Sequence, residues 1–213
     1  MFVIRFALLS SFFYALNVSM LPLIYTFEIS AFLFLFIRFA TTFFTSLIVT
    51  KSLFSFSEVK RQKLGIWILI LSVLFGVQSW LYVEAVKYMS VGLASVVLFT
   101  YPLITYLIVS LLKRRSLDLI TILMFIVATL GIAAISQSSE GYYTMVIGIV
   151  LALLSALTYS LILIVTPRVS ELKNWEIVKY TTLIPALTFL YLFINEAGFY
   201  WHLQKQNEYT DGR

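Results

Sequence analysis

A small set of polar side chains lies inside long apolar stretches of this chain, where polar groups are rare. Polar groups in such surroundings need hydrogen-bonding partners, and a bound solute can supply them. Amides, hydroxyls, a guanidinium and aromatic faces bind a small polar or amphiphilic molecule without covalent chemistry. We therefore predict a substrate-binding path along these residues. The members of the set are Asn17, Arg38, Gln78, Tyr82, Thr100, Tyr101, Pro102 and Thr105.

The residues that most enzymes and metal sites require are missing from these stretches. The chain has no cysteine, and its one histidine, His202, lies in the polar C-terminal segment. Disulfides and thiolate metal sites are therefore excluded, and a zinc site is not expected. No Ser-His-Asp set and no glycine-rich phosphate loop is present. We predict no catalytic residue, no metal and no cofactor, and hence no enzyme.

The composition is that of a membrane protein that crosses the bilayer several times. Of the 213 residues, 61% are hydrophobic and 12% are charged, whereas soluble domains carry about 25% charged residues. An apolar run of about 20 residues spans the hydrocarbon core as a helix. We therefore predict an all-α transmembrane bundle of about seven helices in the lipid bilayer. The runs are 3–24, 30–50, 64–86, 91–112, 117–136, 144–167 and 175–195.

Lysine and arginine are concentrated in alternate loops between these runs. The second, fourth and sixth loops hold Lys51, Lys60, Arg61, Lys63, Lys113, Arg114, Arg115, Arg168 and Lys173, whereas the other loops hold only Lys87. Basic loops remain in the cytoplasm. The net charge of +5 therefore indicates orientation and not nucleic-acid binding. We predict a location in the cytoplasmic (inner) membrane with a cytoplasmic N-terminus.

The first and sixth runs resemble each other. Ser10, Tyr14 and Pro22 recur 145 residues later as Ser155, Tyr159 and Pro167, within a longer match of leucines and alanines. Five helices lie between the starts of the two copies, an odd number, so the second copy enters the membrane from the opposite side. This arrangement is an inverted repeat, as found in many transporters.

The repeat predicts the division of the chain. Residues 1–140 form a five-helix repeat, 141–196 hold the first two helices of the second repeat, and 197–213 form a polar tail. A complete second copy needs three further helices, so the repeat is incomplete, with five plus two helices of an expected five plus five. We expect either a C-terminal truncation or a partner, such as a second copy in a homodimer.

The hairpin between the third and fourth runs carries a family pattern. It reads Ala85-x-Lys87-Tyr88-x-Ser90, then Ala94-Ser95 and Tyr101-Pro102. This pattern resembles the third and fourth helices of the EamA family, in the drug/metabolite transporter superfamily. Matching pairs occur in the first and second runs, as Tyr14-Ala15-Leu16-Asn17 and Arg38-Phe39, but Ala15 stands where the family favours glycine.

The resemblance covers roughly residues 4–195. It implies two inverted five-helix bundles around a central cavity and transport of a small-molecule substrate by alternating access. The family includes exporters and uptake systems, so the substrate does not follow from it. The rival interpretation is a membrane protein that does not transport, either a truncated fragment or an assembly partner.

Two of the candidate positions have a functional and a structural interpretation. Arg38 can attract an anion in a cavity, or it can bond helix-end carbonyls or Asn17. Pro102 should kink the fourth helix by leaving the Leu98 carbonyl without a donor. The kink can form a pocket with Thr100, Tyr101 and Thr105, or hydroxyl groups of Thr105 or Ser110 can satisfy the backbone.

The third run holds two further pairs. Gln78 and Tyr82 share one helix face, and they can line a cavity or make hydrogen bonds between helices. Glu84 and Lys87 lie near the outer end of the run. For these two we expect an ion pair at the membrane interface rather than a proton-coupling carboxylate.

Overall fold

The computed structural model describes residue 12, residues 20–50, 64–114 and 142–211, and several residues between 119 and 131. The described part is helical and contains no strand. Five of its helices are long and apolar enough to cross a membrane. These five correspond to the second, third, fourth, sixth and seventh predicted runs, which are thereby confirmed as helices. The first and fifth predicted helices, at 3–24 and 117–136, lie largely outside the described residues.

The helices are numbered here in chain order. They are α1 (Leu21–Thr26), α2 (Ala31–Thr50), α3 (Gly65–Val86), α4 (Val91–Leu98), α5 (Tyr101–Leu112), α6 (Tyr142–Val165) and α7 (Asn174–Asp211). A 3-10 turn at Thr166–Val169 follows α6. Together α4 and α5 form the predicted fourth span, Val91–Leu112, interrupted near its middle.

The contacts divide the chain into two compact units. The first contains residues 1–29 and 77–167, and the second contains 30–76 and 168–213. Helix α3 therefore contributes its N-terminal half to the second unit and its C-terminal half to the first. The predicted boundaries of the repeats, which rest on sequence similarity, stay a prediction.

In the first unit, α6 packs against α4 and α5. The core consists of small and aliphatic side chains, each at most 3% exposed: Ala85, Leu93, Val97, Met145 and Ala152. Gly148 permits the close approach of α6, because an added Cβ would lie 3.1 Å from Tyr88 Cβ and 3.2 Å from the Ala85 carbonyl oxygen.

In the second unit, α2 packs along α7. The ring of Phe189 stacks on Phe32 and Phe39, with centroid distances of 6.4 and 5.8 Å. At one end of this pair of helices the Ser30 hydroxyl hydrogen-bonds the Glu196 carboxylate. Helix α3 joins the pair through Gly76, where an added Cβ would lie 3.5 Å from Pro185.

Helix α7 continues far beyond the predicted seventh run. Its membrane-spanning part is Asn174–Phe199, whereas the helix itself ends at Asp211. Hydropathy limits the length of a span but not of a helix. Polar residues such as Gln204 and Lys205 have good helix propensity, so the tail prolongs the helix although it is too polar to cross a membrane.

Candidate functional site

The fourth span is broken in the middle, two to three residues before Pro102. Helix α4 ends at Leu98, and α5 begins at Tyr101. At 1.5 Å per residue, about 12 Å of helix precede the break and about 18 Å follow it. The break therefore lies near the middle of a hydrocarbon core about 30 Å thick. Pro102 occupies the first turn of α5, where a proline is tolerated because no helical donor is needed there.

Hydroxyl groups satisfy the backbone around the break, but not at the predicted carbonyl. The Thr100 hydroxyl donates to the Val97 carbonyl at 2.8 Å. The Tyr101 carbonyl accepts from Thr105 Oγ1 at 2.8 Å. The Ser160 hydroxyl of α6 lies 2.9 Å from both the Tyr101 and the Ala156 carbonyls and shares its one proton between them. Helix α4 ends at Leu98, the residue whose carbonyl Pro102 leaves without a helical donor. The hydroxyls of Thr100 and Thr105 bond neighbouring carbonyls and not that of Leu98.

An aromatic pair faces the break. The rings of Tyr101 and Tyr159 meet edge to face, with centroids 4.5 Å apart and planes at 65°. Aromatic pairs prefer this geometry because the positive edge of one ring meets the negative face of the other. Together with Ser160, Tyr159 connects α6 to the first turn of α5.

The side-chain amide of Gln78 is buried, with 7% of the residue exposed, and it bonds a neighbouring helix. Gln78 Nε2 donates to Ser155 Oγ at 3.2 Å, and the same hydroxyl donates to the Gln78 carbonyl at 3.0 Å. The hydroxyl of Ser79 donates to Gln78 Oε1 at 3.4 Å. Of the two interpretations, this geometry matches the hydrogen bond between helices.

Tyr82 is also buried, and its hydroxyl lies 2.8 Å from Ser95 Oγ of α4. The only hydroxyl proton of Ser95 is directed to the Val91 carbonyl, at 2.8 Å. The phenol of Tyr82 is therefore the donor. Gln78 thus connects the C-terminal half of α3 to α6, and Tyr82 connects it to α4, which ends at the break.

Two candidates remain, Arg38 and Asn17. Arg38 belongs to the second unit, where it is half-buried on α2. Its backbone carbonyl accepts hydrogen bonds from the hydroxyls of Thr41 and Thr42 at 3.0 and 2.8 Å. Asn17 lies outside the described residues.

Charged groups of the described residues are found mainly at the ends of helices. Lys87 Nζ lies 2.7 Å from Glu84 Oε2, which confirms the predicted ion pair. Lys113 follows α5 and lines a cavity with Thr105, one of the candidates. No cluster of three or more histidine, aspartate or glutamate side chains that could hold a metal occurs in the part of the chain that the structure describes.

Sequence reasoning missed the partners of these residues and one buried cation. Ser155 and Tyr159 mark the internal repeat, as does Pro167, and all three lie next to α3, α4 or α5. The repeat was therefore the signal that could have found them. Lys179 of α7 is fully buried. It lies inside the seventh run and was not singled out from the sequence.

The comparison with protein families gives one result. The model of the EamA-like transporter family matches residues 1–137, and this region includes the hairpin, the broken fourth span and Arg38. No curated protein and no solved structure matched the chain. The family match covers more than half of the 213 residues, and the five apolar helices agree with it. The chain is therefore a multi-pass membrane protein of transporter type that belongs to the EamA-like transporter family.

Proposed function

We propose that this protein moves a small metabolite across the cytoplasmic membrane by alternating access, along a path that passes the break between α4 and α5. The observation that carries the proposal is this break in the middle of a span of a transporter-family chain. Transporters place substrate contacts at interrupted helices near the bilayer midplane. Here the hydroxyls of Thr100, Thr105 and Ser160 satisfy the backbone, so the interruption is tolerated inside the bilayer.

The proposed substrate contacts are Tyr101, Tyr159 and Thr105. The two rings offer a face and an edge to apolar or cationic parts of a solute. The Thr105 hydroxyl uses its proton on the Tyr101 carbonyl, so toward the solute it acts as an acceptor. These contacts suit a small amphiphilic molecule.

For Arg38, on α2 of the second unit, the proposed role is separate from the contacts at the break: its positive charge attracts anionic solutes. A lysine at this position keeps the charge but loses the planar five-donor fork of arginine. Arg38→Lys should therefore leave folded protein at wild-type level and lower the transport of anionic and zwitterionic solutes. A fall in folded protein with this variant would assign Arg38 to structure instead.

Gln78 and Tyr82 have a different proposed role. Their polar groups already bond Ser155 and Ser95, so they hold α4 and α6 in place around the path. During alternating access these bonds would be the ones that the two helices break and remake. They are positioning residues in this proposal and not direct contacts.

The chain lacks cysteine, which permits a direct test of a water-filled path. Single cysteines would be placed at Thr105 and, as a matched control, at Val96, which is exposed on the apolar surface of α4. A charged, membrane-impermeant methanethiosulfonate reagent should modify the first and not the second, because the thiolate forms only where water reaches the thiol.

Flux is measured separately in proteoliposomes with a panel of radiolabelled amino acids. Tyr101→Leu should abolish the flux that wild type shows, and Tyr106→Leu, an exposed position on the same helix, should retain it. An unreactive cysteine at Thr105, together with no flux of any panel member, would favour a membrane protein that does not transport.

A further inference from the structure

A groove runs between α5 and α6 on the side of the break toward Lys113. It has a volume of about 320 Å³. Five apolar side chains form its walls, a hydroxyl lies at one end, and a cation lies at the other. The lining residues are Thr105, Val109, Leu112, Lys113, Leu163, Ile164 and Pro167.

The polarity of the groove changes along the helix axis. Thr105 and Lys113 are eight residues apart in sequence, which corresponds to about 12 Å along α5. Thr105 lies in the apolar interior of the span, and Lys113 lies just beyond its end. A cation at the membrane surface with an apolar channel leading inward matches the geometry of a lipid, whose headgroup is at the surface and whose chains point to the midplane.

We propose that this groove binds an anionic phospholipid, with the headgroup phosphate at Lys113 and one acyl chain along Val109 and Leu163. The charge supports this choice, because Lys113 is followed by Arg114 and Arg115. Basic clusters next to a span attract anionic headgroups, and basic pockets between helices bind them. A volume near the lower limit of small-molecule sites, about 300–1,000 Å³, accommodates part of one acyl chain.

Between Thr105 and Lys113 the apolar walls of the groove argue against a small polar solute as its occupant, whereas the proposed solute contacts lie at the break, at the other end from Lys113. The Thr105 hydroxyl donates to the Tyr101 carbonyl, so the interior of the groove offers no free hydroxyl proton from this residue. A polar solute would leave its acceptors without donors there, which is costly. An acyl chain has no such groups.

The groove cannot select a lipid by its acyl chains. Lipid chains are as apolar as the walls of the groove, so moving a chain from bilayer to groove gains little. Discrimination must therefore depend on the headgroup and on Lys113. A neutral zwitterionic lipid with the same chains should bind more weakly than an anionic one.

The test measures lipid retention by native mass spectrometry on the full chain purified in detergent. The probes are phosphatidylglycerol and phosphatidylcholine with identical chains. Lys113→Gln should lower the retention of phosphatidylglycerol about fivefold, the effect of one basic residue near an anionic headgroup. The retention of phosphatidylcholine should stay unchanged. The matched control is Lys173→Gln, an exposed cation of the other unit, which should change neither.

A second variant tests the apolar part of the groove. Leu163→Trp fills the groove and should lower the retention of both lipids, with folding checked by gel filtration. Glycerol 3-phosphate, a headgroup without chains, should not displace phosphatidylglycerol. The proposal is overturned by equal retention of the two lipids in wild type, by equal effects of Lys113→Gln and Lys173→Gln, or by displacement with glycerol 3-phosphate, which would indicate a site for soluble anions.

Discussion

Gln78 and Ser155 bond each other twice, across two helices that are far apart in sequence. The Ser155 hydroxyl donates to the Gln78 carbonyl at 3.0 Å, and the Gln78 amide donates back to that hydroxyl at 3.2 Å. Ser155 also marks the internal repeat. The pair therefore joins α3 to α6, which the sequence predicts to be the third helix of the first repeat and the first helix of the second.

The first prediction concerns the strength of this pair. Ser155→Ala removes a donor and an acceptor from a buried site, and it should lower the free energy of unfolding by about 1–2 kcal/mol. Thr188→Ala is the control, because Thr188 is exposed and bonds only its own helix. Thermal unfolding in detergent measures both variants. In a double-mutant cycle, adding Ser155→Ala to Gln78→Leu should lower the free energy of unfolding little further. If the effects of the two substitutions simply add, the two residues are not coupled.

The second prediction concerns the close approach of α6 at Gly148. An added Cβ there would lie 3.1 Å from Tyr88 Cβ and 3.2 Å from a backbone oxygen. The oxygen cannot move without moving α3. Gly148→Val should therefore destabilise the protein by about 1–3 kcal/mol.

Gly92 provides the matched control, because an added Cβ there meets nothing within 4 Å. Gly92→Ala should be neutral or stabilising by up to about 1 kcal/mol, through helix propensity. The fraction of monomer that remains after heating, measured by gel filtration, ranks the variants. Equal behaviour of the two glycine variants would mean that α6 does not approach α3 this closely.

The third prediction tests the orientation in the membrane. Ser90 and Ser170 are exposed and lie in loops that the positive-inside rule assigns to opposite sides. In intact cells, a cysteine in place of Ser90 should react with an impermeant maleimide. A cysteine in place of Ser170 should react only after the cells are opened. Serine to cysteine changes little in size, and the chain has no other cysteine. Labelling of the second site in intact cells would reverse the proposed orientation.

The helices could be predicted from the sequence because a span has a minimum apolar length. The fourth run shows that apolar length predicts a span but not the hydrogen bonds inside it. Pro102 predicted a disturbance at the Leu98 carbonyl, and α4 ends at Leu98. Which hydroxyls bond the carbonyls around the break could not be predicted, because it depends on how α6 packs. Ser160 is one such partner, and it lies 59 residues from Tyr101.

The candidate site was predictable as a set of residues but not as a set of contacts. Gln78 and Tyr82 were selected because buried polar groups need partners, and both have one. Which partner each finds is decided by how α3, α4 and α6 pack. The repeat singled out Ser155 and Tyr159 but did not indicate their partners. Similarity between the first and sixth runs carries no information about contacts with α3 or α5.

The last prediction concerns Lys179, which is fully buried in α7 with its Nζ 5.2 Å from the ring centroid of Tyr180. Charged side chains inside membrane helices are rare, and they pair with other protein groups or face a functional cavity. Lys179→Met keeps the length and removes the charge. We expect this variant to unfold at the wild-type temperature or above it, and to lose the flux of carboxylate-bearing solutes in proteoliposomes.

Lys173→Met, at an exposed position of the preceding loop, should change neither property. Should Lys179→Met instead lower the unfolding temperature while Lys179→Arg restores it, the charge belongs to the packing of the second unit and not to the solute.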